Sequence, residues 1–382
     1  MWAEIKPFVP DGKATVPASK SLSHRYLIAA HLSGNVLLAK NVNECDDIVA
    51  TRNCLKKLSL DDDFFCNESA STLRFLIPLS LVFNNKAAFT GKKILLQRGA
   101  NAYAKIFADK NIHFCVTENK ILLDGNLTSG KYEVDGSISS QYISGLLFAL
   151  PLLQGDSTIT IIPPLVSKPY LNLTLQVLQK SGIEISLNNE NEFFIPGGQK
   201  YKMPAVEVEG DWSNGAVLYG FNNVGGRIVI QGLNADSQQG DKICLKFYEQ
   251  LQHNNAQIDL TDYPDLAPIM FVTAALLKGG TFFGTNRLQN KESNRLDDMI
   301  AEMAKFGIKT EKGNNLLKIM ASKLQAPRVA VDGHNDHRVI MAMTLLLSKT
   351  GGVLTGVESV KKSWPDFFAV LQNLGMQISV RE

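Results

Sequence analysis

The chain has 382 residues, enough for two or three domains and a large core; 45% are hydrophobic and 20% charged. A net charge of +2 and a pI near 8.1 are too balanced for nucleic acid or an anionic membrane as partner, so any anion site must be a local concentration of Lys and Arg. No apolar run reaches the roughly eighteen residues of a membrane span, and Met1-Trp2-Ala3-Glu4-Ile5-Lys6 lacks a signal-peptide layout. Five scattered cysteines (Cys45, Cys54, Cys66, Cys115, Cys244) read as reduced thiols of a cytoplasmic protein, and His and Cys do not cluster as metal ligands.

In chain order, a short polar cluster opens a strongly apolar helical run six times. The openings are Pro17-Ala18-Ser19-Lys20-Ser21, Asn67-Glu68-Ser69-Ala70-Ser71, Ser137-Ile138-Ser139-Ser140-Gln141, Gly210-Asp211-Trp212-Ser213, Asp262-Tyr263-Pro264-Asp265 and Asn335-Asp336-His337-Arg338. Their spacing of roughly fifty to seventy residues indicates repeated architecture. The helices that follow are apolar nearly all round and are expected to be buried. Amphipathic second helices are expected over 47–58, 171–180, 242–252, 296–306 and 365–374. Several end at a Gly stop before a strand, as at Gly182, Gly307 and Gly375. With β-rich stretches such as 226–230 and 279–283 between them, the units read as mixed α/β. Six units divide into two groups of three, with a boundary near Val208-Glu209-Gly210.

Small hydroxylated residues at a helix start leave backbone N–H groups free to face an anion. Capping alone also explains Ser and Asp at such positions. The sharper reading rests on the charged and amide residues in and beside the openings: Lys20, Arg25, Arg74, Gln141, Asp265, His337 and Arg338. Asp265 has the alternative reading of a plain helix cap, and Glu292 with Arg295 that of a surface pair one turn apart. His24 reads as structural.

The segments Ser19-Lys20-Ser21-Leu22-Ser23-His24-Arg25, Ser139-Ser140-Gln141, Ser167-Lys168-Pro169-Tyr170, Lys291-Glu292-Ser293-Asn294-Arg295 and Asn335-Asp336-His337-Arg338 occur in the order of the EPSP synthase family. The chain resembles that family from Lys20 to Lys362. The resemblance implies an α/β (α+β) fold of two similar domains, each of three βαβαββ-like repeats in an inside-out α/β barrel, with the active site in the interdomain cleft. The domains would be 1–18 with 210–382, and 19–209. It also implies transfer of the enolpyruvyl group of phosphoenolpyruvate to the 5-hydroxyl of shikimate 3-phosphate, by a cytoplasmic monomer without metal or organic cofactor and without nucleic acid or membrane as partner.

Carried over by motif, Lys20, Ser21, Arg25, Ser139, Ser140, Gln141, Ser167, Tyr170, Asp265 and Lys291 would hold shikimate 3-phosphate. Lys20, Ala70, Gln141, Arg295, Arg338 and Lys362 would hold phosphoenolpyruvate. Asp265 is the candidate base for the 5-hydroxyl; Glu292, helped by Lys20 and His337, is the candidate for proton traffic at the methylene carbon. Cations are required because two phosphorylated, carboxylated substrates must lie side by side.

Two positions depart from the family pattern. Ile94, in Gly91-Lys92-Lys93-Ile94, stands where the family usually has an Arg for phosphoenolpyruvate. Loss of such a charge-assisted contact corresponds to about 1.5–3 kcal/mol, roughly ten- to a hundredfold in affinity. Ala70 stands where the family commonly has a Gly lining the pocket for phosphoenolpyruvate and the inhibitor glyphosate. These departures set two other readings beside the main one: a non-catalytic anion-binding relative, and the sister transferase acting on UDP-N-acetylglucosamine. The sister family commonly uses a reactive loop Cys, whereas Cys115 lies in a strand-like context.

Overall fold

The computed structural model describes residues 1–381. The chain forms two compact units, Ala18–Val208 and Met1–Pro17 with the chain from Glu209 onward. The first holds α1 (Lys20–Leu32), α2 (Asp46–Lys57), α3 (Ala70–Phe83), α4 (Lys93–Arg98), α5 (Ala102–Ile106), α6 (Ser140–Ala149) and α7 (Lys168–Lys180). The second holds α8 (Trp212–Asn223), α9 (Cys244–Leu251), α10 (Ala267–Leu276), α11 (Arg295–Ala304), α12 (His337–Thr350) and α13 (Phe367–Asn373).

The repeat is explicit in the sheets. In the first unit, Asp63–Phe65 pairs parallel with Lys86–Thr90, which pairs antiparallel with Ile121–Asp124, itself antiparallel to His113–Val116. Gly130–Asp135, Ser157–Ile162, Glu192–Ile195 and Ser186–Asn189 follow the same parallel, antiparallel, antiparallel order. The second unit repeats it with Gln257–Asp259, Gly280–Phe283, Leu316–Ile319 and Thr310–Gly313. Its other sheet is Val331–Asp332, Gly352–Thr355, Trp2–Ile5 and Ile378–Arg381. A two-stranded parallel sheet completes each unit, Ala39–Lys40 with Val206–Glu207 and Asp11–Thr15 with Arg227–Gln231.

A parallel pair needs a crossover, and α3, α6, α10 and α12 supply it in the four larger sheets. Four of the polar openings are therefore the turns between the carboxyl end of a strand and the start of a buried helix. The burial follows from composition: α3 carries Leu73, Phe75, Leu76, Ile77 and Leu79, all inaccessible to solvent. The second helices are amphipathic, as their sequences indicate, and α7, α11 and α13 are followed by Gly182, Gly307 and Gly375 in left-handed conformation. The 240–251 stretch is split, with a 3-10 turn Gly240–Ile243 leading into α9. In the second repeat the amphipathic helix is replaced by the two short helices α4 and α5, which the apolar pattern does not announce.

Pro78 inside α3 has no N–H to give the carbonyl of Arg74 one turn earlier. The hydroxyl of Tyr103, on α5, donates to that carbonyl at 2.6 Å instead. A Cβ on Gly145 of α6 would fall 2.4 Å from both this carbonyl and this hydroxyl, so the close α3–α6 packing depends on glycine there. Helix packing, proline and glycine thus meet at one backbone carbonyl, that of Arg74.

Candidate active site

In the unit 18–208, the N-termini of α1, α3 and α6 are tied together by polar contacts. Ser19, Ser69 and Ser139 are the N-caps, accepting from the backbone N–H of Leu22, Thr72 and Gln141. Lys20, first residue of α1, pairs with Asp47 of α2 at 2.9 Å, both largely buried. The hydroxyl of Thr72 donates to Ser69 Oγ at 2.7 Å and lies 3.3 Å from the carbonyl of Asp47. His24 completes this chain from below: it is buried and Nδ1 lies 2.7 Å from Thr51 Oγ1, itself 2.6 Å from Thr72 Oγ1. Burial lowers the His24 pKa well below its ordinary value, which makes it a neutral structural residue.

Arg25 is 3% exposed and gives three of its donors to protein: Nε to Thr174 Oγ1 (2.9 Å), Nη1 to the carbonyl of Ser21 (2.7 Å) and Nη2 to that of Tyr170 (2.8 Å). Burial brings its pKa down to about 9, so it stays cationic at neutral pH. Its contacts join α1 to α7, and the Ser144–Thr174 hydroxyl pair at 2.8 Å joins α7 to α6. Arg74 Nη1 donates to Gln141 Oε1 at 2.7 Å, and Gln141 Nε2 donates to Ser71 Oγ at 2.9 Å. The Arg74 guanidinium also lies over the Tyr142 ring, 5.1 Å from its centroid. Ser140 and Ser167 are buried; Ser21, Ser139, Gln141 and Tyr170 are half-buried. Ser167, the residue before α7, has φ +56°, an uncommon conformation for a non-glycine.

Ala70 is the first residue of α3 and is 8% exposed. The segment carrying Ile94 is latched to the Ala70 loop. Lys92 N donates to the carbonyl of Asn67 at 2.8 Å, and Lys92 Nζ pairs with Glu68 at 2.7 Å. A Cβ on Gly91 would sit 2.6 Å from the Asn67 carbonyl oxygen. Ile94 itself is half-buried, and Lys93 beside it is exposed.

In the second unit, the residues singled out at 265, 292, 295 and 338 form one buried cluster around Arg295, whose side chain is fully inaccessible. Its Nε and Nη2 grip Asp336 Oδ2 and Oδ1 at 2.8 and 3.2 Å. Nη2 also reaches Glu292 Oε2 at 2.6 Å, while Nη1 reaches Asp265 Oδ1 at 3.1 Å and the Pro264 carbonyl at 3.2 Å. A surface-pair reading of Glu292 and Arg295 therefore does not fit. The other oxygen of Asp265 lies 3.6 Å from Arg338 Nη2, and Arg338 Nη1 donates to Asn214 Oδ1 at 3.2 Å. Asp265 does not cap α10: the cap position is Leu266, without a side-chain cap bond. Asp336 caps α12, its Oδ1 accepting from Arg338 N at 2.9 Å. His337, the first residue of α12, is buried, and Lys362 Nζ donates to the carbonyl of Asn335 at 2.5 Å.

Burial works to raise the Asp265 carboxyl, but Arg338, Arg295 and Lys291 hold it down at about 2. Burial lowers Lys291 to about 8, against the pull of Asp265. For Arg295, burial is outweighed by Asp336, Glu292 and Asp265, and its pKa is raised. The cluster is a set of fixed charges that already satisfy one another, with Asp265 and Glu292 at its part-exposed side.

Asp47, Asn214, Asp336 and Ser71 partner these charges although motif reasoning gave them no role. Asp336 had a signal, its position just before the helix in Asn335-Asp336-His337-Arg338. Asn214 follows the fourth opening, which carries none of the charged or amide residues singled out; its amide oxygen nonetheless accepts from Arg338. Asp47 and Ser71 had no local signal beyond lying in or near a helix start.

The sequence profile described as EPSP synthase (3-phosphoshikimate 1-carboxyvinyltransferase) matches residues 9–65 and 59–371. A 3-phosphoshikimate 1-carboxyvinyltransferase of Clostridium perfringens is 35% identical over 97% of this chain and 97% of its own length. One of Clostridium kluyveri is 34% identical over 99% of this chain and 98% of its own. The solved EPSP synthase of Acinetobacter baumannii superposes with a TM-score of 0.77 at 18% identity, covering 99% of this chain and 100% of that one, which establishes the shared fold. With this coverage and the repeat architecture, the chain belongs to the EPSP synthase (3-phosphoshikimate 1-carboxyvinyltransferase) family.

Proposed function

We propose that this chain transfers the enolpyruvyl group of phosphoenolpyruvate to the 5-hydroxyl of shikimate 3-phosphate, releasing inorganic phosphate. The observation that carries this reading is the Arg295–Asp265–Arg338 cluster, two buried guanidiniums sharing one part-exposed carboxylate, in a chain that matches the family along nearly all its length. Arg295, Arg338 and Lys362 are assigned to the phosphoenolpyruvate anion, and Lys20, Gln141 and Ala70 are the residues of the first unit assigned to it. Ser21, Arg25, Ser139, Ser140, Gln141, Ser167, Tyr170 and Lys291 take shikimate 3-phosphate.

The chemistry balances through proton transfers at three substrate groups. The methylene carbon of phosphoenolpyruvate gains a proton, for which Glu292 is placed beside Arg295, with Lys20 and His337 as the further groups of this reading. The 5-hydroxyl oxygen bonds to the neighbouring carbon and gives its proton to Asp265. Phosphate is then expelled, carrying away the proton held by Asp265, and one methyl proton returns to Glu292 as the double bond is restored in the product. At a pKa of about 2, Asp265 is a poor base while both guanidiniums face it. An incoming anion that engages them weakens their hold and raises its basicity, so acceptor activation follows substrate binding.

No helix among the described residues is long and apolar enough to cross a membrane. The reading takes the protein as a cytoplasmic monomer acting on these two small molecules, without nucleic acid or membrane as partner. The test is phosphate release from phosphoenolpyruvate with shikimate 3-phosphate or UDP-N-acetylglucosamine as acceptor. Release with the first alone is expected. Release only with the sugar nucleotide, or with neither, overturns the proposal.

A further inference from the structure

The turn 332–336 leads from the strand Val331–Asp332 into α12 and carries two consecutive non-glycine residues at positive φ, His334 (+49°) and Asn335 (+53°). Such backbone persists only where surrounding contacts over-determine it. Helix α11 supplies those contacts at both of its ends. At its start, Arg295 grips Asp336. Seven residues on, about 10 Å along the helix, Glu302 Oε2 accepts from Asp332 N at 2.8 Å, and Glu302 Oε1 lies 2.9 Å from His334 Nε2. Asp298 Oδ1, one turn before Glu302, lies 3.4 Å from His334 Nδ1. The imidazole therefore stands between two carboxylates of one helix, while the backbone N–H of His334 donates to Asp332 Oδ1 at 2.8 Å.

We propose that His334 is a positioning residue: clasped as an imidazolium by Asp298 and Glu302, it sets the turn from which Asp336, Arg338 and the Lys362-bound carbonyl of Asn335 are presented, and so makes affinity for phosphoenolpyruvate pH-dependent. The inference rests on the assignment of Arg338 and Lys362 to that substrate under the proposed function.

Only the imidazolium donates from both ring nitrogens; the neutral ring must turn a lone pair toward one carboxylate. The hydrogen bond to Glu302 raises the His334 pKa above its ordinary 6.5, against partial burial, with the charges of Asp298, Asp332 and Glu302 adding to it. The cation in view of this site is Lys305, which pairs with Glu302 at 2.7 Å and leaves Asp298 to His334. A raised folded-state pKa means that the clasp is complete below the unfolded value near 6.5 and is lost as pH rises through the folded value. Above that range the strained turn keeps its anchors at Arg295 and at Glu302–Asp332 N but loses one of the two ring bonds at His334.

The test pairs a direct titration with a kinetic one on the full chain. In histidine-labelled protein, the imidazole resonances missing from His334→Gln should titrate above pH 6.5. In wild type, KM for phosphoenolpyruvate should rise about two- to fivefold across that titration, with KM for shikimate 3-phosphate and kcat unmoved. His334→Arg, a permanent cation, should keep KM low and flat, His334→Gln high and flat, and Asp298→Asn should shift the midpoint to lower pH. Superimposable KM profiles for wild type, His334→Arg and His334→Gln overturn the proposal, as does a midpoint at or below 6.5. If His334→Gln does not fold, the Asp298→Asn shift decides: no shift overturns it. Absence of all turnover in wild type refutes the proposed function and with it the substrate named here, while the titration still decides the clasp.

Discussion

Asp336→Asn separates the two duties of one carboxylate. In the native protein Asp336 is wholly buried, grips the wholly buried Arg295 with two hydrogen bonds, and caps α12 through Oδ1. Asn keeps Oδ1 as the acceptor for Arg338 N, and Asn is as good an N-cap as Asp. Its amide nitrogen, however, must then face Nε–H of Arg295, donor against donor. Breaking a buried ion pair by removing one partner costs about 3–5 kcal/mol. Arg295 retains Glu292 and Asp265, which places the cost near the lower end, about 3 kcal/mol. For a unit of this size each kcal/mol lowers Tm by about 2–4 °C. Calorimetry of the unliganded protein should therefore show a fall of about 6–12 °C. Asp336→Ala also loses the cap, about 1 kcal/mol more. KM for phosphoenolpyruvate should rise in both, since Arg295 loses its buried partner, and more in Asp336→Ala, where Arg338 N also loses its acceptor. If Asp336→Asn melts within about 2 °C of wild type, the buried pair is not the anchor argued here.

Ala70→Gly should lower KM for phosphoenolpyruvate and strengthen competitive inhibition by glyphosate, at a stability cost of no more than about 1 kcal/mol at the helix start; unchanged inhibition constants count against the steric reading of the methyl group. Ile94→Arg should improve affinity for phosphoenolpyruvate by roughly ten- to a hundredfold, and an unaltered KM would show that this position does not reach the substrate. Because Lys291 loses its proton near pH 8, KM for shikimate 3-phosphate should climb above that pH, and Lys291→Arg should flatten the climb. A wild-type profile level to pH 9 removes Lys291 from the phosphate.

The parts of this molecule that were legible in the sequence are those fixed by local physics. A capping side chain acts within three residues of itself, so Ser19, Ser69, Ser139, Asp211 and Asp336 marked five helix starts. Apolar runs around the helix marked the buried crossovers, and Gly182, Gly307 and Gly375 marked the ends of the second helices. The partners of the charges were not legible, because they join positions far apart. Arg25 meets Thr174 across 149 residues, and Arg338 meets Asn214 across 124. Neither Thr174 nor Asn214 has a local pattern that distinguishes it from any polar residue on a helix. The short helices α4 and α5 escaped for a related reason: Tyr103 is there to serve the carbonyl that Pro78 leaves open, a need that exists only once α3 and α5 have packed.

The charged cluster of the second unit is arranged so that its contacts differ in how readily an anion can replace them. Asp336 holds Arg295 from a wholly buried position with good geometry on two nitrogens, so displacing it would strand a carboxylate without water. Asp265 holds Arg338 at 3.6 Å and is part-exposed, a far weaker and more solvated contact. Under the proposed reaction, phosphoenolpyruvate therefore exchanges for Asp265 and not for Asp336. The exchange leaves Arg295 fixed in place by Asp336, with no reorganisation of its buried side, and frees the carboxylate nearest the reaction. A base held at about 2 in the resting protein becomes competent as its cationic neighbours turn to the substrate. On the proposed reaction, the same geometry that keeps the resting charges satisfied would make deprotonation of the acceptor conditional on the presence of the donor.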